Sequence, residues 1–492
     1  MVRGWLVSIA LVGALGVAAQ PALPDTRAVQ QAILNLDPAA TDRALAALSD
    51  PTLVTLYRHH AAFVRALAQQ EAQALAQFEA YSETQLRALG TPTTALAWAA
   101  TAELQAERGV VLLLTGSRLS AFWAFTRAHG ALQHLAREYP TAGLHQRLQG
   151  LFALTLSTLP SSYQWMARQL GLVTDGASGQ ALLAQAANDP LFAEQLPLYR
   201  YFVARHLDND LLAALGHLEQ ARTRLPHSPL VSYLYAAHQL QLKAGAAALA
   251  YLRPMLADPA QAARQIPFTW YMLGKAELFA GNTQAARRAF ERFLQVQQSS
   301  LLRRDARFRL AVLSAWAHPA TASAAFEAVW DEPLSPFDDD QAAGTQALAL
   351  AETGYHPVDL ALYRARYASD GGYTDAAHQV LDSLNQAHRL ADHQVTELAY
   401  RRARLYHHQG QIDQARLHYL HATLRTPVHG AWMVPYSRYY LGTLAEAEGK
   451  LRTALDYYEQ ALAHTGYEYA QGLEQKAKAG RARVRKALRL GD

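Results

Sequence analysis

Apolar side chains recur at helical spacing along most of this chain. The stretch YYLGTLAEAEGKLRTALDYYEQAL, residues 439–462, shows the pattern best, with apolar and small residues three or four positions apart on both sides of Gly449. This spacing predicts two helices joined by a tight turn. Small residues stand where the two backbones would approach, and one large ring stands where it would fill the gap between them. The pattern predicts packing and carries no catalytic motif.

The same frame occurs three times and is typical of the tetratricopeptide repeat, a helix-turn-helix unit of about 34 residues. Its positions are Leu441, Gly442, Ala445, Gly449, Ala454, Tyr458 and Ala461 in one copy, Ala399, Ala403, Tyr406, Gly410, Ala415, Tyr419, Ala422 and Pro427 in a second, and Trp270, Leu273, Gly274, Gly281, Ala286, Phe290 and Phe293 in a third. Three matches predict a repeat array.

Length and composition agree with an array. The chain has 492 residues, but a solenoid needs no single large core because each hairpin packs against its neighbours. The best strand candidate, VVLLL at residues 110–114, continues a helical pattern without a turn signal, so it predicts a buried helix. We therefore expect an all-α, tetratricopeptide-like α-solenoid of stacked antiparallel helix pairs, less regular in its N-terminal part.

The first residues predict export. Arg3 precedes the apolar run WLVSIALVGALGVAA, residues 5–19, which is too short for the ~20 residues that span a bilayer. Its small-residue end predicts a signal peptide cleaved after Ala19, with an uncleaved anchor as the alternative. The chain has no Cys, which leaves no lipoprotein acylation site and no disulfide framework. We expect a periplasmic or secreted protein with no transmembrane segment in the mature chain.

The expected organisation has four parts. Residues 1–19 are the signal peptide, 20–190 an N-terminal helical region with irregular repeats, 191–465 a tetratricopeptide-like superhelix, and 466–492 a basic C-terminal capping helix. The main interruption is WDEPLSPFDDDQAAG, residues 330–344. Its prolines end one helix, and Asp338, Asp339 and Asp340 suit the start of the next more than a calcium loop, whose ligands alternate.

Charge gives no indication of nucleic acid binding, since the net charge is only +4. Basic residues do concentrate at the C-terminal end, at Lys476, Lys478, Arg481, Arg483 and Arg485. An apolar stripe in the same segment, formed by Leu473, Ala477, Val484 and Leu488, favours a capping helix. The alternative is a peripheral contact with anionic lipid or a cell-envelope polymer.

Candidate chemistry is sparse. The sequence contains no phosphate loop, dinucleotide fingerprint, Gly-x-Ser-x-Gly elbow or His-Glu-x-x-His motif. His59 with His60, and His407 with His408, are adjacent pairs, and neighbours on a helix point about 100° apart, so neither pair alone forms a chelate. We predict no catalytic residue, no metal site and no cofactor.

A further resemblance lies outside the clear repeats. LSTLPSSYQWMARQLGLVTDGASGQALLAQA, residues 156–186, resembles the segment that marks the eukaryotic tetratricopeptide family linked to inclusion-body clearance and lipid metabolism, and its bacterial relatives. GYEYAQGLEQKAKAG, residues 466–480, is similar to the end of bacterial members. The matching positions are Leu159, Pro160, Gly171, Gly179, Leu182 and Leu183, while Leu172 and Thr174 depart from the family pattern. The resemblance implies an all-helical repeat protein without known catalytic residues.

The expected function is binding of a protein partner or peptide segment in the concave groove of the superhelix. Positions beside the packed frame are aromatic or cationic and point toward that groove: Tyr271, Lys275, Tyr400, Arg404, His407, Tyr436 and Tyr439. Two alternatives stay open. One is a lipid or envelope-polymer binder that uses the groove aromatics and the basic terminal helix, and the other is an enzyme whose residues converge from distant repeats.

Overall fold

The structure is a computed structural model that describes residues 25–69, 71–157, 176–186, 189, 191–206, 208–319, 322–335, 337–352, 354–384, 390–425, 427, 431–467 and 469–489. Within these ranges every regular element is a helix and no β-strand occurs, which confirms the all-α prediction. None of the described helices is long and apolar enough to cross a membrane. The predicted signal peptide, and Leu159, Pro160, Gly171, Leu172 and Thr174, lie outside the described residues.

The chain divides into two compact units, unit 1 (residues 1–231) and unit 2 (residues 232–492). The described α-helices of unit 1 are α1 (Arg27–Leu34), α2 (Pro38–Ala46), α3 (Pro51–Gln69), α4 (Ala72–Leu89), α5 (Ala95–Leu114), α6 (Arg118–Glu138), α7 (Gln146–Ser157), α8 (Gly176–Gln185), α9 (Leu196–His206) and α10 (Leu211–Arg224). Short 3-10 helices occur at Pro140–Ala142 and Ala193–Gln195.

Unit 2 contains most of α11 (Pro229–Gln241) and the helices that follow it. These are α12 (Gly245–Ala257), α13 (Pro259–Ala262), α14 (Pro267–Phe279), α15 (Thr283–Val296), α16 (Arg303–Ala317), α17 (Ala322–Asp331), α18 (Asp338–Glu352), α19 (Pro357–Asp370), α20 (Thr374–Ser383), α21 (Asp392–His408), α22 (Ile412–Ala422), α23 (Met433–Ala447), α24 (Leu451–Leu462) and α25 (Ala470–Ala487). Consecutive helices pack as pairs, and the first helix of a pair also packs against the first helix of the next.

Each predicted repeat pairs a small residue with a ring. The backbone of Gly442 on α23 lies so close to the ring of Tyr458 on α24 that an added Cβ would be 2.8 Å from it. Gly274 meets Phe290 on the α14–α15 pair in the same way, at 2.7 Å. Tyr458 and Phe290 are fully buried. These contacts match the predicted frame, and the tetratricopeptide-like solenoid is confirmed.

The irregular N-terminal region contains one pair of the same type. Gly109 on α5 lies against the ring of Phe125 on α6, where an added Cβ would be 2.7 Å from it. The α7–α8 pair uses a different contact, because Gly150 and Gly179 face each other and a Cβ on Gly150 would lie 2.9 Å from the Gly179 carbonyl oxygen. Gly179, singled out by the family resemblance, is therefore a point of close helix approach.

The VVLLL segment is helical, but only half of it is buried. Residues 110–114 form the last turns of α5, and Val111 and Leu112 are 0% and 1% exposed. Leu113 and Leu114 are 51% and 57% exposed, so the expectation of a fully buried helix was wrong for them. The helix ends at the hairpin turn to α6, beyond the residues that pack against its neighbours.

The interruption at residues 330–344 is held by Asp340. Asp338, Asp339 and Asp340 form the first turn of α18, as predicted. The Asp340 carboxylate also accepts hydrogen bonds from the backbone N–H groups of Leu302 and Asp305, at 2.7 and 2.8 Å, and so caps the start of α16. The acidic run therefore stabilises two helix N-termini.

The C-terminal helix packs on the last repeat. Leu473, Ala477 and Val484 of α25 are at most 1% exposed. Val484 joins a cluster with Ala454 and Tyr458, to which Leu488 adds a partly buried side chain. This is the packing that a capping helix requires, because the last pair would otherwise leave its apolar side in water.

The ring contact generates the first prediction, on two glycines inside helices of unit 2. Gly442→Ala forces a Cβ into Tyr458, and overpacking costs about 1–3 kcal/mol, more than the roughly 1 kcal/mol that Ala gains over Gly in helix propensity. Gly472 on α25 has no atom within 4 Å of an added Cβ. We expect Gly442→Ala to lower the free energy of unfolding and Gly472→Ala to leave it unchanged or raise it. Urea unfolding followed by circular dichroism measures both, and equal effects would contradict this account of the repeats.

Candidate functional site

A cavity of about 190 Å³ lies among the inner helices of unit 2. α19, α21 and the start of α23 form most of its wall, and single residues come from the α11–α12 loop and from the segment before α25. Four cationic and four aromatic side chains line it, with one carboxylate and one hydroxyl: Lys243, Arg366, Arg401, Arg404, Tyr400, Trp432, Tyr436, Tyr469, Asp370 and Ser369. The cavity thus combines positive charge with aromatic surface.

Helical spacing and ring packing position the aromatic wall. Tyr400 and Arg404 lie one turn apart on α21 and project to the same side. The Tyr400 and Trp432 rings pack edge to face with centroids 5.2 Å apart, and the Trp432 and Tyr436 rings do so at 5.5 Å. The Arg401 guanidinium lies 5.5 Å from the Trp432 ring. Each ring is therefore fixed by its neighbours before any ligand binds.

Lys243 reaches the cavity because the α11–α12 loop is locked onto the α19–α20 turn. The Gly245 N–H donates to the carbonyl oxygen of Gly371 at 3.0 Å. Gly372 has a left-handed φ of 82°, and a Cβ there would lie 1.8 Å from the Lys243 carbonyl oxygen. Lys243 itself adopts a left-handed φ of 58°, which is uncommon for a side chain of its size. Only Gly at 372 permits this approach.

Tyr469 is brought in by a second long-range contact. Its hydroxyl accepts a hydrogen bond from Nε2 of Gln346 at 2.9 Å, and the Gln346 carbonyl accepts one from the Tyr363 hydroxyl at 3.2 Å. The ring of Tyr469 packs edge to face on Trp432, with centroids 5.8 Å apart. Like Lys243, Tyr469 has a left-handed backbone, with φ 60°. Unit 2 therefore closes on itself around the cavity.

The cavity has more positive charge than its own carboxylates neutralise. Arg401 pairs with Glu397 at 2.8 Å, and Arg366 lies 3.8 Å from Asp370. Arg404 instead lies over the Tyr440 ring, 4.2 Å from its centroid. Among the described residues, no carboxylate lies within ion-pair distance of Arg404 or Lys243. Burial, and repulsion from Arg404, lower the pKa of Lys243 to about 8.

Three of the seven residues predicted to line the groove meet in this cavity, namely Tyr400, Arg404 and Tyr436. Tyr400 is only 4% exposed, so it serves mainly as wall. Sequence reasoning did not single out Lys243, Arg366, Asp370, Arg401, Trp432 or Tyr469. Arg401 and Trp432 are close in sequence to predicted residues, whereas nothing in the sequence marks Lys243, whose loop is more than 120 residues from Gly371.

The other predicted residues have different surroundings. Tyr271 is 1% exposed and its hydroxyl donates to Asp305 at 2.5 Å, so it is a core residue that presents no contact surface. Lys275 lies 5.6 Å from the Tyr271 ring centroid. His407 contacts the Tyr419 hydroxyl at 3.1 Å, and burial together with Arg404 lowers its pKa to about 4. Tyr439 packs on Tyr440, with ring centroids 5.2 Å apart.

Unit 1 contains a second cluster of polar side chains, buried between its helices. Nδ1 of His59 donates to Glu107 Oε2 at 2.7 Å, and Nδ1 of His60 donates to the other oxygen of the same carboxylate. Nε2 of His59 accepts from the Ser82 hydroxyl at 2.8 Å, and Nε2 of His60 accepts from the Gln195 amide. The two neighbouring rings therefore each reach one oxygen of the Glu107 carboxylate.

The order Ser82, His59, Glu107 is that of a hydrolase triad, but the geometry is closed. Ser82 and His59 are 0% exposed and His60 is 2% exposed, so no substrate carbonyl reaches the Ser82 hydroxyl in this arrangement. Within the described part of the chain, no group of three or more His, Asp or Glu side chains is arranged to hold a metal ion. In this arrangement the side chains of the cluster hydrogen-bond to one another in the buried interior of unit 1.

Arg147 extends the cluster. Its guanidinium donates to Glu103 and, at 3.0 Å, to Asp189, and its Cζ lies 4.1 Å from the Phe192 ring centroid. Burial raises the pKa of Glu103 to about 7 against the attraction of Arg147. Burial also opposes ionisation of Glu107, but His60 and His59 outweigh it and hold the pKa of Glu107 at about 2.

No protein-family model and no curated protein matches this sequence. Among solved structures, the human IFIT1 dimer with PPP-AAAA is similar at 14% identity over 89% of this chain and 94% of that chain, with a TM-score of 0.26. The TPR domain of P58(IPK) is similar at 12% identity over 88% of this chain and 98% of that chain, with a TM-score of 0.22. At these scores the likeness carries no functional argument, and the tetratricopeptide-like fold rests on the chain's own helix pairs.

The second prediction concerns Glu107. A carboxylate with a lowered pKa contributes stability above its ordinary value of 4.5, and that contribution is lost as the pH falls toward 2. Glu107→Gln should therefore lower the free energy of unfolding at pH 7 by about 3 kcal/mol, since the Gln amide keeps one acceptor oxygen but places its NH2 group against the N–H of the second buried ring. The variant should also lose less stability than wild-type protein when the pH falls below 4.5.

The matched control is Glu138→Gln, because this carboxylate is 50% exposed and pairs only with its neighbour Arg137. Urea unfolding at several pH values compares the three proteins. The difference between wild type and the Glu107 variant isolates this group from Glu103, which both proteins keep. A wild-type protein and a Glu107 variant that lose stability in parallel below pH 4.5 would refute the assigned role of Glu107.

Proposed function

We propose that this chain is an exported helical-repeat scaffold whose unit 2 cavity binds an acidic segment of a protein partner. The observation that supports it is the unbalanced charge of the cavity. Lys243 and Arg404 both line it, and among the described residues neither has a carboxylate within ion-pair distance. A partner's carboxylate would supply the countercharge through charge-assisted hydrogen bonds, which are about twice as strong as neutral ones.

The size and walls of the cavity favour an anchoring side chain rather than a whole small molecule. At about 190 Å³ it is smaller than the roughly 300–1,000 Å³ of drug-sized pockets. Tyr, Trp and Arg are the side chains that dominate binding energy at protein interfaces, and Tyr436, Trp432 and Arg404 supply them here. An extended segment that follows the inner helices would place one acidic side chain in the cavity.

The basic C-terminal helix adds one further cation, Lys476, near the cavity, whereas other basic residues of this helix are already paired. Lys478 pairs with Glu474 at 2.5 Å, and Arg483 makes two hydrogen bonds of 3.0 Å to Glu446. Burial and repulsion from Arg404 lower the pKa of Lys476, which places Lys476 in the positive field near the cavity. Contact of this helix with anionic lipid or envelope polymer, through Arg481 and its neighbours, stays a second hypothesis.

The third prediction tests the cavity with a fluorescent peptide of alternating Glu and Tyr. Wild-type protein should bind it, and Lys243→Gln with Arg404→Gln should weaken binding by about tenfold or more, because each charge-assisted hydrogen bond contributes about 1.5–3 kcal/mol. Arg452→Gln, an exposed change on α24, is the matched control and should leave affinity unchanged.

Fluorescence anisotropy measures the affinity, and circular dichroism verifies that the variants keep their helicity. A peptide of alternating Glu and Ser, equal in charge, serves as competitor, and it should displace the first peptide poorly if the aromatic walls contribute. Equal peptide affinity in the double variant and in wild-type protein would eliminate the cavity as the binding site.

The fourth prediction follows from the pKa of Lys243, which burial lowers most, with Arg404 and Arg401 lowering it further and Asp370 raising it. Lys243 is charged below about pH 8, so its attraction for an anion is present there and is lost as the pH rises through 8. Peptide affinity should fall between pH 7 and pH 9 in wild-type protein. Lys243→Arg, whose side chain stays charged, should flatten the profile. A profile that Lys243→Arg leaves unchanged would assign the pH dependence to another group.

The fifth prediction concerns export, which is part of this proposal. The apolar run of residues 5–19 and its small-residue end support cleavage after Ala19. Amino-terminal sequencing of protein from the native cell should begin at Gln20. An intact Met1 on a cytoplasmic protein would exclude export.

A further inference from the structure

The α5–α6 hairpin of unit 1 exposes a group of large apolar side chains at its tip. Leu113 and Leu114, at the end of α5, are 51% and 57% exposed, and Leu119 and Trp123, on the first turns of α6, are 71% and 52% exposed. Residues 113–120 are all exposed, without a buried position among them. An exposed apolar group of this kind costs solubility and marks an interaction surface.

The tip is built on a rigid base. Leu112, Ala121 and Ala124 are at most 1% exposed and form one cluster, with the ring of Phe125 packed against Gly109 beneath it. Leu119 and Trp123 lie one turn apart on α6 and project from the same face. The exposed side chains are therefore presented by close-packed helix ends.

The backbone of the turn satisfies its own hydrogen bonds. The N–H of Ser117 donates to the Leu112 carbonyl at 2.8 Å, and the N–H of Thr115 donates to the Val111 carbonyl at 2.9 Å. Gly116, with φ 83°, closes the turn, and its N–H donates to the Leu113 carbonyl at 3.1 Å. Each unpaired backbone group would cost several kcal/mol when it is removed from water. A turn whose polar groups are paired internally avoids this cost.

Charge around the tip is mostly positive. Between Glu107 and Glu138 the sequence contains no Asp or Glu, and Arg118 and Arg127 are exposed on the same hairpin. The neighbouring α3–α4 connection, which packs at Val111, contributes a single carboxylate, Glu71, within residues 66–78. This arrangement matches the layers of a membrane interface, where apolar side chains lie deepest, Trp lies at headgroup depth and basic residues lie outermost. Here the Leu side chains form the apex, Trp123 lies one turn behind, and the Arg residues flank them.

We propose that this tip, residues 113–127, inserts into the surface of a bilayer that contains anionic phospholipid. The side chains of Leu113, Leu114 and Leu119 enter the boundary between headgroups and acyl chains. Trp123 lies at headgroup depth, where an amphipathic ring is favoured. Arg118 and Arg127 contact lipid phosphates. The contact is peripheral and does not depend on the cavity of unit 2.

The test is sedimentation of the mature full-length protein with phosphatidylcholine vesicles that contain roughly one third phosphatidylglycerol. Wild-type protein should sediment with them, and Leu119→Gln with Trp123→Gln should weaken partitioning by about tenfold or more, because both apolar side chains leave the interface. Leu417→Gln with Leu424→Gln is the matched control, since these leucines of unit 2 are 45% and 72% exposed. It should sediment like wild type.

Two further variants separate the sources of binding. Arg118→Gln with Arg127→Gln should abolish the preference for phosphatidylglycerol over phosphatidylcholine alone. Arg481→Gln, Arg483→Gln and Arg485→Gln in one variant remove charge from α25 and should leave sedimentation unchanged. Failure of wild-type protein to sediment, or equal sedimentation of the Leu119 and Trp123 variant, overturns the proposal. A tip variant that changes a dimer to a monomer, without any change with vesicles, would make the tip a self-association surface and overturn it as well.

Discussion

Three helix pairs of the described chain depend on one contact, in which a glycine lies under an aromatic ring of the partner helix. Gly442 under Tyr458, Gly274 under Phe290 and Gly109 under Phe125 have the same separation along the chain. The ring fills the volume that the missing Cβ leaves, so both helices approach closely without a void. Tyr458 also lies against Gly480 of α25. The Tyr458 ring therefore determines the spacing at two successive helix interfaces. A substitution of this ring would disturb the packing of both neighbouring helices.

Regular stacking alone does not produce the unit 2 cavity, because its wall includes residues that come from far along the chain. The Gly371–Gly372 turn holds the loop that carries Lys243, and Gln346 holds Tyr469. Both Lys243 and Tyr469 have a left-handed backbone, which costs about 1 kcal/mol or more per residue. Backbone strain of this kind persists only where surrounding contacts fix it. Its location at two cavity residues agrees with a site whose geometry is set before binding.

The sequence indicated what is local and repeated. The spacing of Gly442, Ala454 and Tyr458 predicted a helix pair because the same pattern of small and aromatic residues recurs in several segments of the chain. Helical spacing determines which residues share a face, and Tyr400, Arg404 and Tyr436, singled out on that basis, all line the unit 2 cavity. Lys243 could not be predicted, since its position depends on a turn far away in the sequence. Tyr271 follows the same spacing rule, yet its ring is buried in the core. The sequence pattern predicts the direction in which a side chain points, but it does not predict which side chains a neighbouring helix covers.

The two polar clusters of the molecule show why composition alone does not identify a binding site. Each oxygen of Glu107 accepts a hydrogen bond from an imidazole, and each imidazole ring has a second hydrogen-bond partner. These hydrogen bonds compensate for the loss of hydration of the buried side chains. Arg404 lies over the Tyr440 ring, and burial together with the charge of Arg404 lowers the pKa of Lys243. The described residues supply too few carboxylates to neutralise these two cations. A satisfied cluster gains nothing from a ligand, because any new hydrogen bond must replace an existing one. An unbalanced cluster is stabilised by an anion, because its positive side chains have too little countercharge among the described residues. This difference favours the unit 2 cavity as the proposed binding site.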